Sequence, residues 1–254
     1  MNSPDTATHV VLITGASRGI GAAAAIACAR QGWDVAVNCT RDVRAAEAVA
    51  VRVRALGRRA IVVPADVADE AAVLAMFTRI DAELGPLAGL VNNAGVVDAK
   101  ARVDEVSLAR LQRMFAINVF GSFICAREAV KRMSTLQGGA GGVIVNLSSV
   151  AARLGGPGWY VDYAASKGAI DTFTVGLARE VAAEGIRVNA VRPGIIDTDI
   201  HASGGQPGRA QASATLIPMQ RPGTADEVAA AIVWLLSDEA SYSTGAILDV
   251  SGGR

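Results

Sequence analysis

The chain has 254 residues, of which 51% are hydrophobic and 4% aromatic, and its 24 basic and 24 acidic side chains leave no net formal charge. A chain of this length can bury roughly 70 to 75% of its unfolded surface, so we expect a single domain over residues 1–254. The balanced charge argues against a nucleic-acid surface or a polybasic membrane patch, and it favours small-molecule chemistry.

The cysteines and the first residues predict a cytoplasmic protein. Cys28, Cys39 and Cys125 are odd in number and widely spaced. This spacing fits neither a disulfide framework nor a zinc site, so we expect buried apolar thiols and no metal. Residues 1–9 are polar and lack the features of a secretory signal. The longest uncharged apolar run, residues 20–29, is far shorter than the ~20 residues that span a bilayer, so we expect no membrane association.

Short β-rich apolar runs alternate along the chain with longer segments of helical spacing, which is typical of parallel strands joined by helical crossovers. Strands are predicted at Val10–Thr14, Asp34–Asn38, Ala60–Pro64, Gly89–Asn92, Gly142–Leu147, Arg187–Val191 and Ala246–Val250. Helices are predicted at Gly19–Arg30, Val43–Leu56, Asp69–Leu84, Ser107–Met133, Tyr160–Glu184 and Ala225–Leu236. Most strands are almost continuously apolar, so we predict an α/β fold, a doubly wound parallel sheet of about seven strands with helices on both faces.

Two predicted connections are long. Residues 135–142 form a glycine-rich link, and residues 202–215 contain three glycines, two serines and a proline. Long loops inside compact domains are often functional lids, so we predict a substrate loop at about residues 195–216. No repeat or linker divides the sequence.

A glycine-rich turn follows the first predicted strand and opens directly into an alanine-rich helix. It is Gly15-Ala16-Ser17-Arg18-Gly19-Ile20-Gly21. Glycines at such a turn let backbone N–H groups approach a pyrophosphate, and the helix N-terminus adds a partial positive charge. The turn therefore predicts a dinucleotide site.

The same turn also has the Gly-x-Ser-x-Gly spacing of a hydrolase nucleophile elbow, centred on Ser17. A serine hydrolase needs a histidine base, and the chain offers only His9 and His201. His9 lies just before the first predicted strand, and His201 borders the glycine-rich loop. A serine hydrolase using Ser17 is therefore kept only as an alternative.

Six motifs in a fixed order make the chain similar to the short-chain dehydrogenases/reductases, from about Val10 to the C-terminus. Besides the glycine turn they are Asn92-Asn93-Ala94-Gly95, Asn118, Ser148-Ser149, Tyr163-Ala-Ala-Ser-Lys167 and Pro193-Gly194. The resemblance implies a Rossmann fold and hydride transfer between a nicotinamide dinucleotide and a carbonyl or secondary alcohol. Bacterial sugar-dehydrogenase-like and 3-oxoacyl-reductase-like members look most similar, so the substrate stays open. A non-catalytic dinucleotide-binding regulator is an alternative, although such proteins are expected to lack the Tyr or the Lys.

The end of the second predicted strand bears on the choice between NADP(H) and NAD(H). An acidic residue there would bind the ribose diol of NAD, but Asn38 is followed by Cys39, Thr40 and Arg41. Arg18 and Arg41 could both reach a 2′-phosphate. We therefore predict NADP(H), with NAD(H) as the alternative if both arginines are merely solvated.

The resemblance implies a wider set of cofactor-binding residues. Asp66 and Val67 would meet the adenine, and Ile196 and Thr198 would lie against the nicotinamide carboxamide. The complete set is Gly15, Ser17, Arg18, Gly19, Ile20, Gly21, Asn38, Arg41, Asp66, Val67, Asn92, Ala94, Gly95, Tyr163, Lys167, Ile196 and Thr198.

Four residues are predicted to be catalytic. Tyr163 and Lys167 are four residues apart on a predicted helix and share one face. A nearby ammonium stabilises a phenolate, which makes a phenol a better proton-transfer group. The resemblance implies that Tyr163 exchanges the proton and Lys167 binds the nicotinamide ribose. It also implies that Ser149 holds the substrate oxygen and Asn118 anchors a water chain.

Two neighbours of these residues complicate the assignment. Tyr160 precedes Tyr163 by three residues, and Ser148 adjoins Ser149. Only Tyr163 has the Tyr-x-x-x-Lys spacing, and the resemblance favours the second serine of the pair.

The substrate side is less defined by the sequence. We expect substrate contacts from Val150, Ala151, Arg153, Leu154, Trp159 and the loop with His201, Gln206 and Arg209. His201 either binds substrate or caps the loop. Residues 246–253 resemble the family's C-terminal strand, which often packs across a subunit axis, so we predict a homotetramer or a homodimer.

Overall fold

In the computed structural model, residues 9–198, 205–206 and 208–254 are described, except for the Arg209 side chain. Within these residues, seven strands form one parallel sheet in the order β3-β2-β1-β4-β5-β6-β7. The strands are β1 Val10–Ile13, β2 Asp34–Cys39, β3 Ala60–Pro64, β4 Leu87–Asn92, β5 Gly142–Leu147, β6 Ile186–Pro193 and β7 Ile247–Val250. The strand order reverses between β1 and β4, which is where open α/β sheets bind ligands.

Helices cover both faces of the sheet. They are α1 Gly19–Arg30, α2 Val43–Ala55, α3 Glu70–Glu83, α4 Leu108–Phe115, α5 Gly121–Met133, α6 Ala151–Leu154, α7 Val161–Val181, α8 Arg209–Ala212 and α9 Ala225–Leu236. One apolar core joins α1, α2 and α9 to the sheet, and a second joins α3, α5 and α7 to the opposite face. Every residue of β1 and β2 is buried. The predicted doubly wound Rossmann fold is confirmed.

Polar side chains cap the amino ends of α3 and α9. The Asp69 carboxylate accepts a hydrogen bond from Ala72 N at 3.2 Å at the start of α3. Thr224 Oγ1 accepts from Glu227 N at 3.2 Å, and Thr224 N donates to Glu227 Oε2 at 2.8 Å, which completes a capping box at α9. Such caps typically stabilise a protein by ~1 kcal/mol.

The predicted helix Ser107–Met133 is continuously helical from Leu108, but its middle differs from an α-helix. Its middle, Ala116–Phe120, is π-helical and lies between α4 and α5. Asn118 lies in this segment. Short π-helical turns of this kind often occur at functional sites.

Several predicted element boundaries were wrong by a few residues. The strand predicted from Gly89 begins at Leu87, and the strand predicted over Arg187–Val191 extends over Ile186–Pro193. Pairing with neighbouring strands decides these ends: Leu87 pairs with Val10, and Pro193 pairs with Val250. A local apolar pattern does not contain that information.

The three cysteines are buried and unbridged, as predicted. Burial raises the pKa of the Cys28 and Cys125 thiols to about 12. No helix in the described part of the chain is long and apolar enough to cross a membrane. Across the same residues, no cluster of three or more His, Cys, Asp or Glu side chains could hold a metal ion.

Candidate active site

Two cavities lie at the carboxyl ends of the strands and share part of their walls. The larger, about 790 Å³, borders the glycine turn and is called here the glycine-turn cavity. The smaller, about 400 Å³, contains Tyr163 and is called the Tyr163 cavity. Residues common to both are Ile20, Asn93, Gly95, Val97 and Thr198. A ligand seated in the glycine-turn cavity can therefore extend towards Tyr163.

Most of the predicted cofactor-binding residues line the glycine-turn cavity. They are Gly15, Ser17, Arg18, Gly19, Ile20, Arg41, Asp66, Val67, Ala94, Gly95 and Thr198. They come from the β1–α1 turn and from the loops that follow β2, β3, β4 and β6. The volume lies within the range of small-molecule and cofactor sites.

Asparagine side chains hold the glycine turn in place. Gly15 N donates to Asn38 Oδ1 at 3.1 Å, and Asn93 Nδ2 donates to Thr14 O at 2.8 Å and to Gly15 O at 3.0 Å. Thr14 Oγ1 in turn accepts from Ala94 N at 2.9 Å. The turn is thereby tied to β2 and β4 before any ligand arrives.

Gly21 allows the close packing beneath this turn. A Cβ atom at Gly21 would lie 2.5 Å from Asn93 Nδ2 and 2.6 Å from Gly15 O. Even an alanine would therefore push the turn out of position.

Three predicted cofactor-binding residues lie beneath the cavity rather than in its wall: Gly21, Asn38 and Asn92. Asn38 is buried, and its Nδ2 donates to Val63 O at 3.0 Å and Ala65 O at 3.1 Å. The Asn92 Nδ2 donates to Asn146 Oδ1 at 3.0 Å, between β4 and β5. These side chains support the wall by bracing the sheet, a function that spacing alone does not distinguish from ligand contact.

Arg18 and Arg41 are exposed and both line the glycine-turn cavity. Asp42 lines it too, a carboxylate that the sequence argument did not consider. Its Oδ1 accepts a hydrogen bond from Ala45 N at 3.0 Å and thereby caps α2. Arg113, also unforeseen, lines the cavity and pairs with Asp98 at 3.1 Å.

Lys167 and Tyr163 meet in the Tyr163 cavity. Lys167 is only 5% exposed, and its Nζ donates to Leu147 O at 2.6 Å and lies 5.8 Å from the centre of the Tyr163 ring. Burial lowers the pKa of Lys167 to about 8, although the Asp171 carboxylate acts in the opposite direction. The Lys167 ammonium therefore lies near the Tyr163 ring, and it loses its proton at a lower pH than an ordinary lysine.

The two serines differ in their surroundings although both line the Tyr163 cavity. Ser148 is buried, and its Oγ donates to Lys167 O at 3.2 Å. Ser149 is half-buried, and its Oγ accepts from Ala151 N at 3.1 Å. Accepting that bond leaves the Ser149 hydroxyl proton available to a ligand oxygen.

Asn118 is buried and lines neither cavity. Its Oδ1 accepts from Val96 N at 2.8 Å, and its Nδ2 donates to Val96 O at 3.0 Å and Ser166 Oγ at 3.1 Å. The π-helical segment thus connects the loop after β4 to α7, next to Lys167. The water-anchoring role of Asn118 stays a prediction.

Four of the residues expected to contact the substrate line the Tyr163 cavity, and Arg153 does not. Val150, Ala151, Leu154 and Trp159 line the Tyr163 cavity. Arg153 does not; its guanidinium pairs with Asp249. His201 and the Arg209 side chain lie outside the described residues.

The Tyr163 cavity also contains Ile196 and two residues that were not predicted to line it. Ile196, predicted near the nicotinamide, lines this cavity and not the larger one. Tyr160 is buried and also lines it, with its ring edge-on to Trp159 at 6.2 Å. Arg254 lines it from the C-terminal end of the chain. The approach of a sequence-distant residue such as Arg254 leaves no local signal in the sequence.

The hydrolase alternative gains no support from His9. His9 O accepts from Asp34 N at 2.9 Å at the amino ends of β1 and β2. Ser17 follows the carboxyl end of β1, whereas His9 precedes the amino end of the same strand. His9 therefore cannot act as a base for Ser17.

Comparison with known proteins places the chain in a family. A family model described as enoyl-(acyl carrier protein) reductase matches residues 15–254. An uncharacterised oxidoreductase of Escherichia coli, YgfF, is 56% identical over 96% of this chain and 99% of its own length. The cis-4-hydroxycyclohexanecarboxylate dehydrogenase of Sinomonas cyclohexanicum is 40% identical over 97% of this chain and 96% of its own length.

A solved structure gives the same result. A short-chain dehydrogenase from Burkholderia cenocepacia, in complex with NADP, is 35% identical and superposes with a TM-score of 0.88. The match covers 96% of this chain and 97% of that one. The chain therefore belongs to the short-chain dehydrogenase/reductase family of oxidoreductases.

Proposed function

We propose that this protein is an NADP(H)-dependent oxidoreductase that interconverts a carbonyl compound and a secondary alcohol. The observation that carries the proposal is the meeting of Ser149, Tyr163 and Lys167 in one cavity that continues into the glycine-turn cavity. A reacting oxygen placed in the smaller cavity is thereby beside a proton-transfer group and next to the space for a dinucleotide.

The residues present fit a nicotinamide dinucleotide. The glycine turn is fixed by Asn38 and Asn93, and Gly21 leaves no side chain against it. Backbone N–H groups at the start of α1 suit a pyrophosphate. When bound, the nicotinamide would supply or accept the hydride.

Tyr163 acts as the general acid in the reducing direction. Its hydroxyl gives a proton to the carbonyl oxygen as that oxygen gains negative charge, and in oxidation its phenolate takes the alcohol proton. The Lys167 ammonium stabilises the phenolate by its charge, and the Ser149 hydroxyl donates to the substrate oxygen. Lys167 would also bind the nicotinamide ribose, and Asn118 would hold the water chain that returns protons.

NADP(H) is proposed over NAD(H) because Arg18 and Arg41 both line the glycine-turn cavity. Guanidinium groups suit a 2′-phosphate. Two carboxylates line the same cavity: Asp42 is engaged in capping α2, and Asp66 Oδ1 accepts from Ala68 N at 3.0 Å.

The substrate is proposed to be a cyclic or otherwise compact alcohol or ketone. The Sinomonas relative is named for a hydroxycyclohexanecarboxylate, and the Tyr163 cavity of about 400 Å³ has apolar walls at Leu154, Trp159 and Leu216. Sugar and acyl substrates are the competing classes.

We further propose one domain over residues 1–254, with the substrate loop at about 195–216, in a homotetramer or homodimer. Exposed apolar side chains on α4, α5 and the π-helical segment support self-association: Leu108 is 69%, Phe120 57% and Phe123 45% exposed. The buried, unbridged cysteines support a reducing compartment such as the cytoplasm. Gel filtration giving only a monomer at working concentration would exclude the oligomer.

A panel of cyclic ketones, sugars and acyl ketones tests the activity. Each compound is mixed with enzyme and either NADPH or NADH, and oxidation of the cofactor is followed by near-ultraviolet absorbance. We expect turnover of at least one cyclic ketone, faster with NADPH. Cofactor binding without turnover of any compound would instead indicate a dinucleotide-binding regulator.

A further inference from the structure

Arg254 is one of the residues that line the Tyr163 cavity. Of the described residues that line this cavity, Lys167 and Arg254 have charged side chains, and none has a carboxylate side chain. Lys167 Nζ is already bonded to Leu147 O at 2.6 Å. Arg254 is therefore the lining residue whose positive charge can serve a ligand.

The turn that carries Arg254 is held by the structure around it. Met219 N donates to Gly252 O at 3.1 Å, and Ser251 Oγ donates to Arg254 O at 3.0 Å. Gly252 has a φ of +65°, and a Cβ there would lie 2.8 Å from Ile217 Cγ2. Only glycine fits this conformation and this contact, so the backbone before Arg254 is well placed.

The Arg254 guanidinium has no ion-pair partner among the described carboxylates, in contrast to Arg153, Arg192 and Arg221. Arg254 also does not line the glycine-turn cavity, where the dinucleotide phosphates are proposed to bind. A structural ion pair and a cofactor-phosphate contact are therefore both poor explanations for its position.

The rest of the cavity wall is largely apolar, with Leu154, Pro157, Trp159, Ile195 and Leu216 among its residues. An arginine in such a setting binds a carboxylate by two parallel N–H···O bonds, strengthened by low local polarity. The distribution of polar groups thus matches a compact apolar molecule with an oxygen near Tyr163 and an anionic group near Arg254.

We propose that Arg254 is a specificity-determining residue that binds the carboxylate of the substrate, so that the preferred substrates are hydroxy or oxo acids with an apolar body. This proposal rests on the proposed function for the identity of the reacting end. The carboxylate contact itself can be measured without any reaction.

The test is calorimetric titration of cyclohexanecarboxylate and cyclohexanecarboxamide, which share a shape but differ in charge. Both are titrated into the full-length protein, with and without NADPH. We expect the wild-type protein to bind the acid about tenfold or more tightly than the amide, as for a charge-assisted pair. We expect R254Q to bind the two within about twofold and R254K to regain part of the preference.

A matched control removes the same charge elsewhere. Arg102→Gln alters an exposed arginine, with a side chain 72% exposed, that does not line the cavity. It should retain the wild-type preference, which excludes an effect of overall charge. The proposal is overturned if the wild-type protein does not bind the acid, or if R254Q still prefers it.

Turnover separates this proposal from the proposed function. In kcat/KM, R254Q should lower the preference for 4-oxocyclohexanecarboxylate over cyclohexanone about tenfold relative to wild type, and Arg102→Gln should retain that preference. A wild-type protein that binds the acid through Arg254 but turns over no carbonyl compound would contradict the proposed function alone.

Discussion

The two cavities differ in what builds their walls. The glycine-turn cavity lies at strand ends, and Asn38, Asn93 and Thr14 bond its turn directly to the sheet. The Tyr163 cavity has a sheet-supported end with Ser149 and Lys167, but its other walls come from the loop before α7, the segment after β6 and the C-terminal turn. The part that would bind a common cofactor is thus tied to the sheet. The part that would select a substrate lies on connections, which vary more easily.

Replacing Tyr163 by phenylalanine should give the largest effect, and it tests whether the two cavities have separate roles in turnover and in cofactor binding. We expect kcat to fall by roughly 10²- to 10⁴-fold, because the general acid is lost, while the Kd of NADPH changes by less than about twofold. Steady-state kinetics and fluorescence titration of NADPH give the two numbers. Tyr160→Phe, at a neighbouring ring in the same cavity, is the matched control and should retain activity within about tenfold. Normal turnover by Y163F would refute the assignment.

Gly21→Ala tests whether the glycine-turn cavity depends on a rigid turn. The added methyl would lie 2.5 Å from Asn93 Nδ2, so the turn must shift. Overpacking of this kind costs about 1–3 kcal/mol, which corresponds to a loss of dinucleotide affinity of up to about 100-fold.

The control for this variant is Gly176→Ala on α7, where an added Cβ meets no atom within 4 Å. It should leave the Kd of NADPH unchanged, and thermal unfolding distinguishes a local shift from loss of the fold. Equal dinucleotide affinity for Gly21→Ala and wild type would show that the turn is not as rigid as we infer.

Arg18→Ala and Arg41→Ala sharpen the comparison at the far end of the glycine-turn cavity. Each change should weaken NADPH binding about tenfold, because one charge-assisted contact to the 2′-phosphate is lost, and should leave NADH binding nearly unchanged. Parallel titrations with both cofactors measure this. Equal losses for the two cofactors would point to a shared phosphate, and no loss would mean that both arginines are surface groups.

The pH dependence reports on Lys167, which lines the Tyr163 cavity. Its ammonium form exists below its pKa of about 8, so kcat/KM for carbonyl reduction should fall as the pH rises through about 8. Asp171→Asn removes a negative charge that raises this pKa, so the fall should move to lower pH and cost a few-fold in rate near pH 8. A pH profile of this variant that coincides with that of wild type would contradict the link between Asp171 and Lys167.

The sequence predicted the parts of the site that depend on local spacing. Tyr163 and Lys167 share a helix face because they are four residues apart, and the glycine turn is recognisable because it joins a strand to a helix. The same spacing did not separate residues that touch the cavity from those that brace it. Asn38 and Asn92 carry polar side chains after apolar runs, yet the neighbouring strands bury both.

The sequence by itself determined the layered α/β fold, the family resemblance and the shared helix face of Tyr163 and Lys167, since these follow from periodicity and short motifs. Tertiary structure alone decided that Arg153 pairs with Asp249 while Arg254, far along the chain, lines the Tyr163 cavity. It also decided that Asp42 is engaged as a helix cap beside the two arginines. These outcomes depend on which strands become neighbours and where their ends lead. Contacts of that kind join distant residues and leave no local pattern.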